Sequence, residues 1–211
     1  MKIIYVYDAL CGWCYGFSPV MIQFQEKYKE SIDVEVISGG MITGNRIGPI
    51  GEVAYYINQA YINVEKLTGA KFGVNFLNKT LKEGHAIFTS IPPAIALSVF
   101  KKTDSLGNSV LFASELQKAI YYEGIEPNNS TEYAKIASKF GIDSESFITK
   151  FDDPKYTKLA FVDFEKSSTL GVKGFPTVFL EINGVHHKIG SGFMPFNHLE
   201  NNYLRIENIE K

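Results

Sequence analysis

Two cysteines lie three positions apart near the start of the chain, in the stretch DALCGWCYGF at residues 8–17. Cys11 and Cys14 are the only cysteines among the 211 residues. A Cys-x-x-Cys pair suits three uses: half of a zinc site, dithiol–disulfide exchange, or no reaction when both side chains only fill a core. The rest of the sequence has to decide among them.

The metal interpretation needs ligands that the sequence does not offer in a convincing pattern. A structural zinc site would need two further ligands beside the cysteines, and there is no second cysteine pair. Of the four histidines, the adjacent His186 and His187 should point to opposite faces of a strand. We therefore predict no metal ligands. Two unreactive buried cysteines remain an alternative, but chance rarely places both at this spacing directly after a strand.

Thiol–disulfide exchange is the use that the placement favours. The apolar run KIIYVY at 2–7 predicts a buried strand, and apolar residues at helical spacing follow the cysteines, so Cys11 should lie where a helix begins. Unpaired N–H groups and the positive end of the helix dipole stabilise a thiolate there. Cys14, one turn further on, could attack a mixed disulfide formed at Cys11. We predict that Cys11 is the nucleophile and Cys14 the resolving thiol.

The two residues between the cysteines are candidates for supporting roles. Gly12 would leave space for an approaching substrate backbone. Trp13 is the only tryptophan of the chain and would partly cover the disulfide. The alternative for Trp13 is a lid over the core with no part in the chemistry.

A second landmark lies far along the chain, at Gly174-Phe175-Pro176-Thr177. A proline that opens a strand can be cis at modest cost, about 0.5–1 kcal/mol relative to trans. A cis Pro176 would remove one N–H group and leave the backbone of Phe175 free to pair with an extended substrate chain. An ordinary trans proline at the start of a strand is the alternative.

The remaining elements form a strand–helix–strand unit, a long helical segment, and a final hairpin and helix. Residues 32–37 predict the second strand, residues 38–51 a glycine-rich loop, and residues from about 52 to 170 almost only helices. Asn183-Gly184 predicts a hairpin turn between two strands, and residues 196–211 a closing helix. The fold class is therefore α/β.

Composition and charge exclude several classes of function. The net charge is −2 without a basic cluster, which argues against a nucleic-acid partner. No apolar run approaches the roughly 18 residues of a membrane span. The first apolar run ends at Asp8 and is too short for a secretory signal of roughly 7–15 apolar residues. We expect a cytoplasmic protein with no membrane partner.

Together these landmarks resemble the thioredoxin fold, and the long helical segment between the two halves resembles the DsbA family. Several stretches are similar to its FrnE-like branch: DALCGWCYGFSPV, SGGMITG, YYEGIEPNNSTEYAKIASKFGI and TLGVKGFPTVFL. The resemblance implies a thioredoxin-like domain formed by residues 1–50 and 171–211. A helical domain at 51–170 would interrupt it, and the helix at about 154–170 would lead back. It also implies disulfide oxidoreductase activity, with Cys11 and Cys14 cycling beside a cis Pro176.

Three positions bear on the chemistry that this resemblance implies. Periplasmic DsbA proteins carry a histidine between their cysteines where this chain has Gly12-Trp13, so strongly oxidising character is not expected. Thioredoxins carry a buried aspartate six residues before the first cysteine, where this chain has Tyr5. Asp8 matches an acid common in DsbA-like chains and could organise the active-site loop; a solvated aspartate at a strand end is the alternative.

The leading hypothesis is a cytosolic enzyme that reduces, forms or isomerises disulfides in proteins or small molecules. The redox-active Cys11–Cys14 pair would be its only cofactor, with glutathione or another unidentified reductant recycling it. One alternative is a kappa-type glutathione transferase or hydroxychromene carboxylate isomerase, although those enzymes typically carry serine at the nucleophile position. The other is a non-catalytic peptide-binding module with Tyr15, Phe17 and Phe175 lining a groove.

Overall fold

A four-stranded sheet lies at the centre of the computed structural model, which describes residues 1–104 and 106–209. In spatial order its strands are β2 (Asp33–Ser38), β1 (Lys2–Tyr7), β5 (Thr177–Ile182) and β6 (Val185–Ser191). β1 is parallel to β2 and antiparallel to β5, and β5 and β6 are antiparallel. The sheet is thus assembled from the two ends of the chain, as predicted.

β1 is a central strand with apolar contacts on both faces. Ile3, Tyr5 and Tyr7 face the large core, whereas Ile4 and Val6 belong to a smaller cluster on the opposite face. All five side chains are at most 1% exposed. This double burial explains why the sequence of β1 is almost uniformly apolar and does not alternate.

A tight turn joins β5 to β6 and sets their register. Asn183 and Gly184 both adopt positive φ, at 51° and 81°, which is the conformation that a two-residue hairpin turn requires. Ile182 pairs with Val185 on either side of the turn. The hairpin predicted from Asn183-Gly184 is therefore confirmed.

Helices make up most of the remaining chain. α1 (Gly12–Tyr28) connects β1 to β2 and completes the strand–helix–strand unit. The other α-helices are α2 (Ala54–Thr68), α3 (Ile91–Thr103), α4 (Ser109–Lys118), α5 (Ser130–Ser138), α6 (Ser144–Phe151), α7 (Pro154–Thr169) and α8 (Phe196–Ile209). The closing helix was predicted to reach residue 211, and residues 210–211 lie outside the described residues.

The segment predicted as a plain loop at 38–51 contains short regular elements. Two 3₁₀ turns (Gly44–Arg46 and Ile50–Val53) flank β3 (Gly48–Pro49), which pairs with β4 (Ile87–Phe88). Two π-helical turns (Phe76–Leu81 and Ala119–Glu123) also interrupt the helical segment. The pairing partner of β3 is nearly forty residues away, so no local pattern could predict this small sheet.

The helical segment packs against the sheet through both apolar and charged contacts. Phe100, Phe112 and the sheet residue Tyr5 belong to one continuous core. At the edge strand β2, Nζ of Lys101 on α3 lies 3.1 Å from an oxygen of Asp163 on α7 and donates to the Val36 carbonyl at 2.8 Å. This matches the α/β fold with a large helical insertion that the sequence predicts. The exact domain limits stay a prediction.

No helix formed by the described residues combines the length and the apolar character needed to cross a bilayer.

Candidate active site

Cys11 occupies the position that caps the N-terminus of α1. Its backbone is extended (φ −98°, ψ 110°), and its Sγ accepts a hydrogen bond from the Cys14 N–H at 3.3 Å. A sulfur placed at unpaired helical N–H groups is stabilised as a thiolate. As a thiol, Cys11 also donates its S–H to the Phe175 carbonyl, with Sγ and the oxygen 3.5 Å apart.

Cys14 lies behind Cys11 and is fully buried, with 0% of its surface exposed compared with 6% for Cys11. Both are free cysteines in this structure. Burial raises the pKa of the Cys14 thiol well above its ordinary value, and the hydrogen bond with Cys11 adds to the shift. An incoming sulfur therefore meets Cys11 first, while Cys14 stays protonated and out of reach.

The segment around Pro176 closes over Cys11 although it lies more than 160 positions away. The Phe175–Pro176 peptide bond is cis. The Pro176 carbonyl accepts from the Gly192 N–H at 2.8 Å, and the Thr177 hydroxyl donates to the Gly174 carbonyl at 2.8 Å. These bonds hold the segment so that the Phe175 carbonyl reaches Cys11.

A glycine lets the Phe175 ring approach the chain directly after β2. A Cβ atom on Gly39 would lie 2.0 Å from Cε1 of Phe175, far inside any allowed contact. The chain after β2 and the segment before β5 therefore touch without room for a side chain at Gly39. Their close approach places residues 39–41 at the edge of the site.

Asp8 organises this region as a buried acceptor and is not a solvated residue at a strand end. It is 1% exposed. Oδ1 accepts from the Leu10 N–H and the Ser90 hydroxyl, both at 2.9 Å, and Oδ2 accepts from the Met41 N–H at 2.7 Å. Burial raises the pKa of the Asp8 carboxyl, and the hydrogen bonds from Met41 and Leu10 oppose the shift. Asp8 thus joins three separate segments directly beneath Cys11.

Gln117 is a site-supporting residue that the sequence analysis missed. It lies on α4 and is fully buried, with Nε2 donating to the Asp8 carbonyl at 3.1 Å and the Cys11 carbonyl at 3.5 Å. Its Oε1 accepts from the Ser18 hydroxyl at 2.7 Å. The available signal was its position, four residues after the buried Ala113 on the apolar face of the helix.

An apolar cavity of about 260 Å³ opens beside Cys11, between α1 and the helical segment. Trp13 is partly buried and forms part of its wall, together with Gly12. The other lining residues are Leu10, Cys11, Met41, Ile42, Val53, Tyr56, Ile57, Ala60, Tyr61, Val64, Phe72, Phe88 and Tyr121. A Cβ on Gly12 would meet Phe72 Cζ at 3.5 Å, an ordinary contact, so sterics within the chain do not demand glycine there.

The three aromatic residues predicted as groove candidates have different environments. Phe17 is fully buried in the core, so the groove alternative does not hold for this residue. Tyr15 packs edge-on against Phe72 with ring centroids 5.5 Å apart. Phe175 is half-buried at the site itself. Phe17 and Met21 lie four positions apart on α1 and are both 0% exposed, which places Phe17 on the buried face of that helix.

Within residues 1–104 and 106–209, no three His, Cys, Asp or Glu side chains are grouped so that they could hold a metal ion.

Comparisons with known proteins place this geometry in a family. A structure of a candidate protein disulfide isomerase from Nitrosomonas europaea matches with a TM-score of 0.85 and 22% identity over 100% of both chains. The cytosolic disulfide reductase DsbM from Pseudomonas aeruginosa matches with a TM-score of 0.82 and 27% identity, covering 100% of this chain and 99% of that one. Its structure with GSH matches with a TM-score of 0.79 and 25% identity over 100% of both chains.

A search of curated proteins found no significant match. The model of the DSBA-like thioredoxin domain matches residues 2–203, nearly the whole chain. The narrower FrnE-like branch stays a prediction. The fold, the Cys-x-x-Cys pair at the start of α1 and the matched family model agree, and the chain belongs to the family of DSBA-like thioredoxin domains.

Proposed function

We propose that this protein is a cytoplasmic thiol–disulfide oxidoreductase that reduces or isomerises disulfides with Cys11 as nucleophile and Cys14 as resolving thiol. The observation that carries the proposal is the asymmetry of the two sulfurs. Cys11 Sγ accepts the Cys14 N–H at 3.3 Å beside an open cavity, whereas Cys14 is fully enclosed. A nucleophilic sulfur that lines a cavity, in front of a buried thiol, suits attack followed by resolution.

The proposed reaction begins when the Cys11 thiolate attacks one sulfur of a substrate disulfide. A bond forms between Cys11 Sγ and that sulfur, and the second substrate sulfur leaves as a thiolate and takes a proton. Cys14 then loses its proton and attacks Cys11 Sγ, which releases the first substrate sulfur. The substrate gains two electrons, and the enzyme retains a Cys11–Cys14 disulfide.

Reduction or isomerisation is the direction that we favour. A reducing cytosol opposes net disulfide formation, and Gly12-Trp13 lacks the histidine of strongly oxidising relatives. DsbM, at 27% identity, is named a cytosolic disulfide reductase. Proteins or small molecules with disulfides would be the substrates, and a thiol such as glutathione the recycling reductant.

Insulin reduction with purified variants tests the assignment. We expect Cys11→Ser to abolish turnover, because no thiolate remains at the open position. Cys14→Ser should still attack, and should accumulate mixed disulfides visible by mass spectrometry. Full insulin-reducing activity in Cys11→Ser would contradict the roles assigned here. Glutathione conjugation that persists in Cys14→Ser would instead favour a transferase.

A redox titration followed by Trp13 fluorescence tests the direction of electron flow. Trp13 lies between the two cysteines, so its emission should report their oxidation state. A two-electron transition near about −270 mV is expected for a reductase, whereas about −120 to −180 mV would indicate an oxidant or isomerase. The double variant Cys11→Ser/Cys14→Ser is the control and should give no transition.

A further inference from the structure

A second cleft of about 200 Å³ is lined by Phe175 and shares the lining residue Met41 with the apolar cavity. It differs from that cavity in its lining, because Arg46, Lys173 and the hydroxyl-bearing Ser167 and Ser168 contribute to its walls. Among the residues that the structure describes, no aspartate or glutamate lines it. We call it the cationic cleft.

The two cations reach the cleft from segments that are far apart in the chain. Arg46 ends the first 3₁₀ turn, and its Nη2 donates to the Gly40 carbonyl at 3.5 Å, which directs the guanidinium toward the chain beside Phe175. Lys173 lies two residues before Phe175. In the part of the chain that the structure describes, neither side chain has a carboxylate within 4.0 Å. Both charges are therefore available to an anionic ligand.

The cationic cleft and the apolar cavity are neighbours close to the nucleophile. Met41 lines both of them. Phe175 lines the cationic cleft, and its carbonyl lies 3.5 Å from Cys11 Sγ. A molecule whose sulfur reaches Cys11 would thus have apolar walls on one side and positive charge with hydroxyl donors on the other.

We propose that the cationic cleft binds the carboxylates of glutathione when glutathione reduces the Cys11–Cys14 disulfide, an inference that rests on the function proposed above. Glutathione carries one thiol, two carboxylates and one ammonium group, so its net charge at neutral pH is negative. Arg46 and Lys173 supply the opposite charge, and guanidinium–carboxylate hydrogen bonds are among the stronger ones in proteins. The apolar cavity offers its carboxylates no such partner.

The reaction served by this cleft takes up two glutathione molecules. The first glutathione thiolate attacks Cys11 Sγ, which breaks the Cys11–Cys14 bond, and the Cys14 thiolate takes a proton. The second attacks the glutathione sulfur of the mixed disulfide, which releases glutathione disulfide and returns Cys11 as a thiolate. The enzyme gains two electrons, and the two glutathione molecules lose them.

Stopped-flow reduction of the pre-oxidised protein, followed by Trp13 fluorescence, tests this proposal. Each protein is mixed with glutathione or with glutathione diethyl ester, whose carboxylates are masked, and the ratio of the two rate constants is compared between variants. We expect Arg46→Ala and Lys173→Ala each to lower this ratio about 3- to 10-fold, and the double variant more, because each loses one charge-assisted contact. Lys82→Ala removes an exposed lysine that lines neither cavity and should leave the ratio unchanged.

The ratio of the rate constants for glutathione and its diethyl ester tests the glutathione site separately from the oxidoreductase function on which it rests. Equal ratios in the wild type, both single variants and the double variant would overturn the cationic cleft as a glutathione site, even if all four proteins are reduced readily. Failure of the wild type to be reduced by glutathione, its ester or dithiothreitol would overturn the oxidoreductase function itself. Added salt gives a further check, since 0.5 M NaCl should lower the wild-type ratio and leave that of the double variant nearly unchanged.

Discussion

Replacing Asp8 removes the acceptor that joins three segments beneath the nucleophile. In Asp8→Ala the N–H groups of Leu10 and Met41 and the hydroxyl of Ser90 all lose a partner inside the protein. Two of these donors belong to the backbone and have no freedom to turn elsewhere. We therefore expect the substitution to destabilise the fold and to loosen the chain at Met41, which lines both cavities.

The magnitude follows from the three contacts and from the burial of the charge. A hydrogen bond to a charged group contributes about 1.5–3 kcal/mol, so three give an upper sum of about 4.5–9 kcal/mol. Burial offsets part of this sum, since it raises the pKa of the Asp8 carboxyl despite the bonds. We expect a net loss of about 3–5 kcal/mol, because each of the three neutral donors left without an acceptor costs about 1–3 kcal/mol.

Asp8→Asn keeps the shape of the side chain and should lower the free energy of unfolding less than Asp8→Ala does. The amide oxygen suits the Oδ1 position, where two donors meet, and the NH₂ group then opposes the Met41 N–H. We expect a loss of about 1–2 kcal/mol, because one hydrogen bond is replaced by two facing donors while the cost of burying a charge disappears.

Urea unfolding at pH 7 measures the loss in free energy of unfolding for both variants, Asp8→Ala and Asp8→Asn. Asp33→Ala is the matched control, because Asp33 begins β2 and is exposed, and its replacement should stay within about 0.5 kcal/mol of the wild type. If Asp8→Ala falls within the same 0.5 kcal/mol, Asp8 does not hold the three segments together and our reasoning is wrong.

The pH dependence of the difference between wild type and Asp8→Asn is a separate check. The pKa of Asp8 is raised in the folded protein above its ordinary value of 3.8. Between these two values the folded state binds the proton and the unfolded state does not, so the contribution of Asp8 to the free energy of unfolding rises as pH falls. The free energy of unfolding of the wild type should therefore increase relative to that of Asp8→Asn as the pH is lowered from 7 toward 4.

Three further predictions concern the packing and the chemistry of the site. Gly39→Ala should cost about 1–3 kcal/mol in urea unfolding, since its Cβ would lie 2.0 Å from the Phe175 ring. Gly174→Ala is the control, because its Cβ would meet nothing within 4 Å, and it should cost less than about 0.5 kcal/mol. Equal losses of stability in the two variants would contradict the packing argument. The rate constant for attack of Cys14 on the mixed disulfide should rise about tenfold per pH unit from pH 7 to 9 in quenched-flow measurements, because burial raises the pKa of Cys14 well above its ordinary value. A rate constant that does not change with pH would count against Cys14 as the resolving thiol. Gln117→Leu should cost about 1–3 kcal/mol in the same urea assay, because three buried hydrogen bonds are lost while the Asp8 and Cys11 carbonyls keep their backbone N–H donors. A neutral substitution would remove Gln117 from the supporting network.

The sequence predicts the sheet well because its strands carry local signals. The apolar run of β1 and the Asn183-Gly184 turn each fix an element within a few residues. Cys11 is likewise placed by its neighbours, since a strand before it and helical spacing after it leave one position for the helix start. These parts of the fold depend on short-range chemistry.

Long-range contacts account for what the sequence did not predict. Asp8 has two equally consistent interpretations until Ser90 and Met41 are brought to it from positions 82 and 33 residues away. Gln117 has no local signature of function, and only its place on the apolar face of a helix distinguishes it from a surface glutamine. The pairing of β3 with β4 is equally non-local. Such contacts exist only once the helical segment has packed on the sheet.

The helical insertion therefore does more than cover one face of the sheet. Through Gln117 it holds the carbonyls of Asp8 and Cys11, and through Ser90 it binds the Asp8 carboxylate. Through α2 and Phe72 it builds the apolar wall that faces the nucleophile. The segments that follow β1 and precede β5 supply Cys11 and the Phe175 carbonyl, whereas the insertion decides which groups can lie beside them. Differences in substrate choice among proteins with this sheet should thus arise from the insertion and from the residues at 39–46, rather than from the two cysteines.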